Sequence, residues 1–464
     1  MNTGWYFTAP WDPVPVRRGD ALGFRAGADY YAELLAPGLS NSTSDARWIS
    51  ILSWCLKWSH VTWRKAGGND LASREDQRAR YAWLRPLELL WVDRTLASGQ
   101  ATGQLRGRRS IERWRKSGRQ LPDFAMTTDQ FRRYRQIGMY GAYRVVLRNV
   151  HGFTTGDGWT PAATALALAE LVNDSLPPDV RLASEHFDRG TRWGRWRDGG
   201  EARYWSEHGW PGASHTPGGF LPTPETAAHK QLTEDEQLLL KPALFGSGST
   251  RLVTAKVLNS AKQARTHAAL CEILANSDEL ARRIEPASLA TLPAFTRFAD
   301  AAMHAMRGLW EEINNDESTQ APFVGSLARS AELRQRLDLL RKEGDAWLRT
   351  PGKNVFPHGQ VVTHLAESMR KAATPAAQLR ALAAHHHQHG GGRRWFRDQG
   401  GKMVPIVADT GIAASDYRFR LGALARLAAQ CGILGKRAVL DAVSRPEAEM
   451  ATQNEPDDDE ADAL

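Results

Sequence analysis

The chain reads as mostly α-helical: a multi-helical array with long loops and one small β-hairpin near the C-terminus. Apolar residues recur at intervals of three and four through most of the 464 residues, the spacing of a helix face. Helix punctuation frames these runs, as where Thr233 and Glu236 form a capping box and Gly432 follows a long apolar segment. A strand pair is read in residues 395–409, around Gly400-Gly401.

The elements follow in order. Residues 1–36 open with Trp5, Tyr6, Phe7, Pro10, Trp11, Pro13 and Pro15, an extended arm in which proline removes donors and fixes φ. A turn at 19–23 leads to a short helix over 29–35, stopped by Pro37-Gly38. The stretch 37–63 carries four of the 17 tryptophans. Thr43 or Ser44 is its expected N-cap, with Asp45 in the first turn. On a helical wheel, Trp48, Ile49, Ile51, Leu52, Trp54, Cys55, Leu56 and Trp58 fill an arc of roughly 220°. Arg47 and Ser59 intrude on it, and Ser50, Ser53, Lys57 and His60 form a narrow polar strip. So apolar a helix is expected at the centre of a core.

A helix over 69–97 follows, with Pro86 inside it, then one over 129–150 capped by Thr127 or Thr128. Thr160-Pro161 starts a third over 162–173. Residues 187–222 interleave Arg, Trp and Gly with almost no aliphatic side chains, an irregular insert. Helices resume from 233 to 349, one of them spanning 250–275, with Pro286, Pro293 and Pro322 marking further starts and Met303, Met306 and Trp310 on core spacing. A helix pair covers 359–389, and Ser415 or Asp416 caps a last apolar helix from Tyr417 to Cys431. The expected organisation is a helical domain over 1–185, the insert over 186–225, a helical domain over 226–390, a small winged-helix-like region over 391–445 and a disordered acidic tail over 446–464.

Charge points to a partner. The net charge is +8, yet the tail from Glu447 onward holds eight acids and no base, so the remainder carries about +16. Arginine outnumbers lysine 48 to 12, and its planar fork grips phosphate and stacks on bases. A GC-rich genome enriches arginine too, so the local pattern matters more than the count. Two clusters stand out as nucleic-acid-binding candidates. One is Arg106, Arg108, Arg109, Arg113, Arg115, Lys116 and Arg119. The other is Arg189, Arg192, Trp193, Arg195, Trp196, Arg197 and Arg203, where tryptophan alternates with arginine as in single-strand platforms. The plainer readings are a solvated arginine face and a loop pinned by its own tryptophans.

Known chemistry is hard to place. There is no Gly-x-Ser-x-Gly elbow, Cys-x-x-Cys pair, His-Glu-x-x-His element, phosphate loop or dinucleotide fingerprint. Gly246 to Ser249 lacks the lysine and the preceding strand of a nucleotide loop. Cys55, Cys271 and Cys431 are too few and scattered for a disulfide framework, and no apolar run reaches transmembrane length. With no leader-like N-terminus, a cytoplasmic protein without catalytic residues or cofactor is expected, one that does not enter a membrane. One metal motif is weak: His385 and His389 have i, i+4 spacing on a helix, but no second helix offers a Cys or Glu signature, and histidines suit a helix C-terminus in any case.

Asp20 to Gly23, Pro37-Gly38-Leu39-Ser40, Thr43, Ala46-Arg47-Trp48 and Trp54 are similar to the opening of an uncharacterised bacterial family found in defence islands. Gly141-Ala142-Tyr143, Trp159-Thr160-Pro161 and Tyr417 to Arg420 extend the likeness. It covers the first third and last fifth best, and departs at Trp48, where the family has tyrosine, and in the Arg/Trp insert. The resemblance implies an accessory subunit of an antiphage system beside a helicase or nuclease, and it supplies no catalytic residue. The expected function is therefore binding of DNA or of such a partner through arginine-rich surfaces. The alternatives are a metal-dependent nuclease assembled from dispersed residues and a pure protein scaffold.

Overall fold

The computed structural model describes residues 20–65, 138–156, 158–176, 181–187, 232–261, 266–315, 322–353, 359–390, 394–406 and 417–434, with isolated positions at 68, 264 and 356 and between 80 and 112. Among them are fourteen α-helices, one short 3₁₀ helix (Ser184–Phe187) and one two-stranded antiparallel sheet. The chain is thus mostly α, with its small hairpin near the C-terminus. Two compact units emerge. The described residues of 1–31 and 264–418 make one; those of 32–263 and 419–447 make the other.

The unit containing residues 32–263 is built on α2 (Ala46–Lys65), fifteen of whose twenty residues are buried. The tryptophan arc is buried as the wheel requires, and Trp54 is wholly enclosed. Its indole meets Trp91 edge-on at 5.9 Å, and its N–H donates to Asn173 Oδ1 at 3.3 Å. Enclosing a side chain of this kind is worth about 2–3 kcal/mol. Two details differ from expectation. The N-cap is Asp45, whose Oδ1 accepts from Arg47 N–H at 3.0 Å, while Thr43 turns back to Ser40. Ser50 and Ser53 are buried as well, Ser53 by donating to the Ile49 carbonyl within the helix.

Against α2 lie α3 (Met139–Asn149) and α4 (Ala163–Asp174). The latter begins later than Thr160-Pro161 suggests, because Pro161 bridges to Thr154 and Ala162 N–H is spent on the Phe153 carbonyl. Next come α5 (Glu234–Phe245), with the full Thr233–Glu236 capping box, and α6 (Thr250–Ser260). Arg47 does not disturb the apolar arc, because it is paired in the interior with Glu236. The last helix of this unit, α14 (Leu421–Gln430), starts later than its apolar pattern implies. Phe419 and Arg420 take φ of 51° and 60°, which breaks the helix, and Arg420 is held there by Glu33 at 2.5 Å. At the other end Gly432, φ 68°, closes α14 as a left-handed cap, with Ile433 N–H on the Ala428 carbonyl.

In the unit containing residues 264–418, α9 (Pro286–Asn315) is the longest helix. Pro293 lies inside α9 instead of starting a helix. The helix expected over 250–275 is interrupted, so that α7 (His267–Ala275) belongs to this unit and packs on α9. After α8 (Asp278–Ala281) and α10 (Val324–Leu327) come α11 (Ala331–Arg349), α12 (Gly359–Lys371) and α13 (Pro375–His389); α11 packs on α9, α12 on α11 and α13 on α12. The core gathers Phe24, Tyr31, Phe295, Phe298, Trp347, Phe356 and Tyr417 in edge and tilted contacts. Residues 25–31 of α1 (Arg25–Leu35) join this core. Asp20 starts α1, its two oxygens accepting from Phe24 and Arg25 N–H. The hairpin β1 (Phe396–Gln399) and β2 (Lys402–Pro405) turns through Gly400 and Gly401, both at positive φ, as a two-residue type I′ turn demands.

Candidate metal centre

The loop between α12 and α13 is only three residues, so the two helices run back to back. His364 lies nine residues before Ala373 at that turn and His385 twelve after it, within one helical turn of level across the hairpin. His389 follows His385 by one helical turn on the same face. The three imidazoles meet: ring centroids are 4.6 Å apart for His385 and His389, and 5.9 Å for His364 with each of them. One nitrogen from each ring lies within 4.8 Å of the others.

The segment before α1 fixes this cluster. Gly23, at φ 72°, sits so close to His389 that an added Cβ would stand 2.8 Å from its Cβ. Leu22 presents its carbonyl to His385 Nε2 at 2.9 Å. A carbonyl can only accept, so the imidazole proton is at Nε2 and the lone pair at Nδ1. That Nδ1 is buried and has no hydrogen-bond partner. Burial holds the His385 pKa down to about 3 and lowers that of His389, whose nearness to His364 adds to the effect while Asp20 opposes it. Both rings are therefore neutral near pH 7, the form that ligates metal.

His386 shows what a satisfied core histidine looks like in the same tract. Its Nδ1–H donates to the Ala21 carbonyl at 2.7 Å and its Nε2 accepts from Trp395 N–H at 3.0 Å. Neighbouring residues thus take opposite tautomers. The His385 Nδ1 and His387 Nε2 atoms are both buried without a hydrogen-bond partner, but the His387 side chain is only half-buried whereas that of His385 is enclosed.

The chain matches no protein-family model, no curated protein and no solved structure.

The sequence singled out His385 and His389 but not His364. A lone histidine in an amphipathic helix carries no local signal; only counting back from the turn at residues 372–374 brings it within one helical turn of His385. The nucleic-acid candidates are placed differently. Arg106 is exposed and donates to Ser42 Oγ at 2.9 Å. Arg108 pairs with Glu112 one turn on, at 2.6 Å. Arg109, Arg113, Arg115, Lys116, Arg119, Arg189, Arg192, Trp193, Arg195, Trp196, Arg197 and Arg203 lie outside the described residues. So do the N-terminal arm, Ser415, Asp416 and the acidic tail. No helix among the described residues is long and apolar enough to cross a membrane.

Proposed function

We propose that this protein binds nucleic acid, DNA in the first place, as an accessory subunit of a bacterial antiphage system that works beside a helicase or nuclease. The observation that carries this reading is the basic run from Arg106 to Lys116 and Arg119, seven cations with Glu112 as the one acid among them. Such a run neutralises phosphates and releases counterions, which supplies affinity without reading sequence. The exposed Arg106 and the resemblance to defence-island proteins support it. The test is fluorescence anisotropy with labelled single- and double-stranded DNA over a salt series. Affinity should fall by about tenfold or more between low and moderate salt. Replacing Arg113, Arg115 and Lys116 by glutamine should flatten that slope. Salt-independent binding, or none, ends the electrostatic reading, and co-purification with a partner in the absence of DNA binding would make the chain a scaffold. The imidazole cluster favours a second reading, a metal-dependent nuclease, which predicts cleavage that EDTA abolishes.

A further inference from the structure

We infer that His364, His385 and His389 form a binding site for a zinc-class divalent cation, held by three imidazoles with a fourth position open to solvent. The inference goes beyond nucleic-acid binding and does not rest on it.

Among the described residues these three are the group whose ligand atoms converge within 4.8 Å. Tetrahedral zinc with Zn–N bonds of about 2.0–2.1 Å sets its nitrogens roughly 3.4 Å apart. Closing the remaining gap needs only a side-chain movement, and exposed His364 is free to make it. The independent observation is His385. It is 1% exposed, and its Nδ1 has no partner. An unsatisfied buried polar atom is costly, and a cation offers it a partner. The Leu22 carbonyl on Nε2 is the outer-shell contact that orients metal-bound histidines and fixes the ligating nitrogen.

The donor set selects the ion. Imidazole nitrogen suits zinc, copper, nickel and iron, and disfavours magnesium and calcium. A two-His-one-carboxylate iron site would need Asp20, but its oxygens already accept from Phe24 N–H, Arg25 N–H and Tyr417 O–H. Asp20 instead contributes negative charge near His389. Burial falls off from His385 through His389 to His364, so the cluster opens towards His364. A bound ion would keep a water there, as open zinc sites do and closed structural ones do not.

The test uses the full-length chain without an affinity tag, stripped by chelator and titrated with Zn²⁺ by calorimetry and with Co²⁺ by visible absorption. The expected result is one ion per chain and the intense absorption of four-coordinate cobalt. His364→Ala and His389→Ala should each weaken binding by at least about a hundredfold. His304→Ala, exposed on α9, and His387→Ala, in the same tract, should bind as the parent does. Circular dichroism of His364→Ala, an exposed position, separates loss of metal from loss of fold. Azide added to the cobalt form should shift its spectrum, and an unchanged spectrum would overturn the open position. No saturable binding, or undiminished binding by His364→Ala, would overturn the site itself. None of these readouts involves DNA, so they fail or succeed independently of the proposed function.

Discussion

Arg47 and Glu236 form a buried ion pair between residues 189 apart in sequence. Glu236 is also the last member of the capping box that starts α5. Removing one partner strands a charge in the interior. Glu236→Ala is expected to cost about 3–5 kcal/mol, while Arg47→Met with Glu236→Leu should recover most of that loss. Urea unfolding of the two single variants and the double variant, as a mutant cycle, measures it. Additive losses would show that the pair is not coupled.

Asp45 sets a pH dependence. Burial pushes its pKa up to about 6, against the bonds from Arg47 N–H and Gln430 that pull it down. The folded state therefore holds its proton more tightly than the unfolded chain does. The associated stability is complete below about pH 4 and is lost as pH rises through about 6, by at most about 3 kcal/mol. Asp45→Asn, which keeps an N-cap oxygen, should track the parent near pH 4 and gain on it by pH 7. A difference that stays constant between those pH values would sink the assignment.

Gly23→Ala should destabilise the unit that holds the histidines by about 1–3 kcal/mol, because a side chain at φ 72° is strained and its Cβ meets His389. The displaced His389 should also weaken metal binding. Thermal melting with and without Zn²⁺ reads both effects. Stabilisation by Zn²⁺ equal to that of the parent would mean that Gly23 does not position the histidine.

The hairpin turn gives a contrast. Gly400→Asn should be nearly neutral, since asparagine tolerates the left-handed region, whereas Gly401→Val should cost about 1 kcal/mol or more. Hydrogen exchange at Met403, whose N–H donates to the Pro322 carbonyl, reports the loss locally. Equal protection in both variants would argue against a type I′ turn.

Trp54→Ala, within α2, is expected to cost about 3–5 kcal/mol by leaving a cavity against Trp91. Chemical denaturation checks it, and a loss below about 1 kcal/mol would show that the core closes around the gap.

Local chemistry on the chain was sufficient for the helical class, the burial of Trp48, Trp54 and Trp58, the capping box at Thr233 and the glycine turn at 400–401. Each of these depends on neighbours a few residues away, where periodicity and backbone preference act. Element boundaries were less legible. Asp45 replaced Thr43 as the cap, and α14 began only after Phe419 and Arg420, because long-range partners such as Gln430 and Glu33 claimed the backbone and side chains concerned. What only the tertiary structure decided was the meaning of Arg47 and of the histidine tract. Arg47 looked like an intruder until Glu236 arrived beside it. His385 and His389 looked like helix-end histidines until the hairpin brought up His364 and the Leu22 carbonyl fixed the His385 tautomer. The physical reason is the same in both cases: a buried charge or lone pair takes its role from whichever group is folded against it, and sequence spacing does not reveal that group.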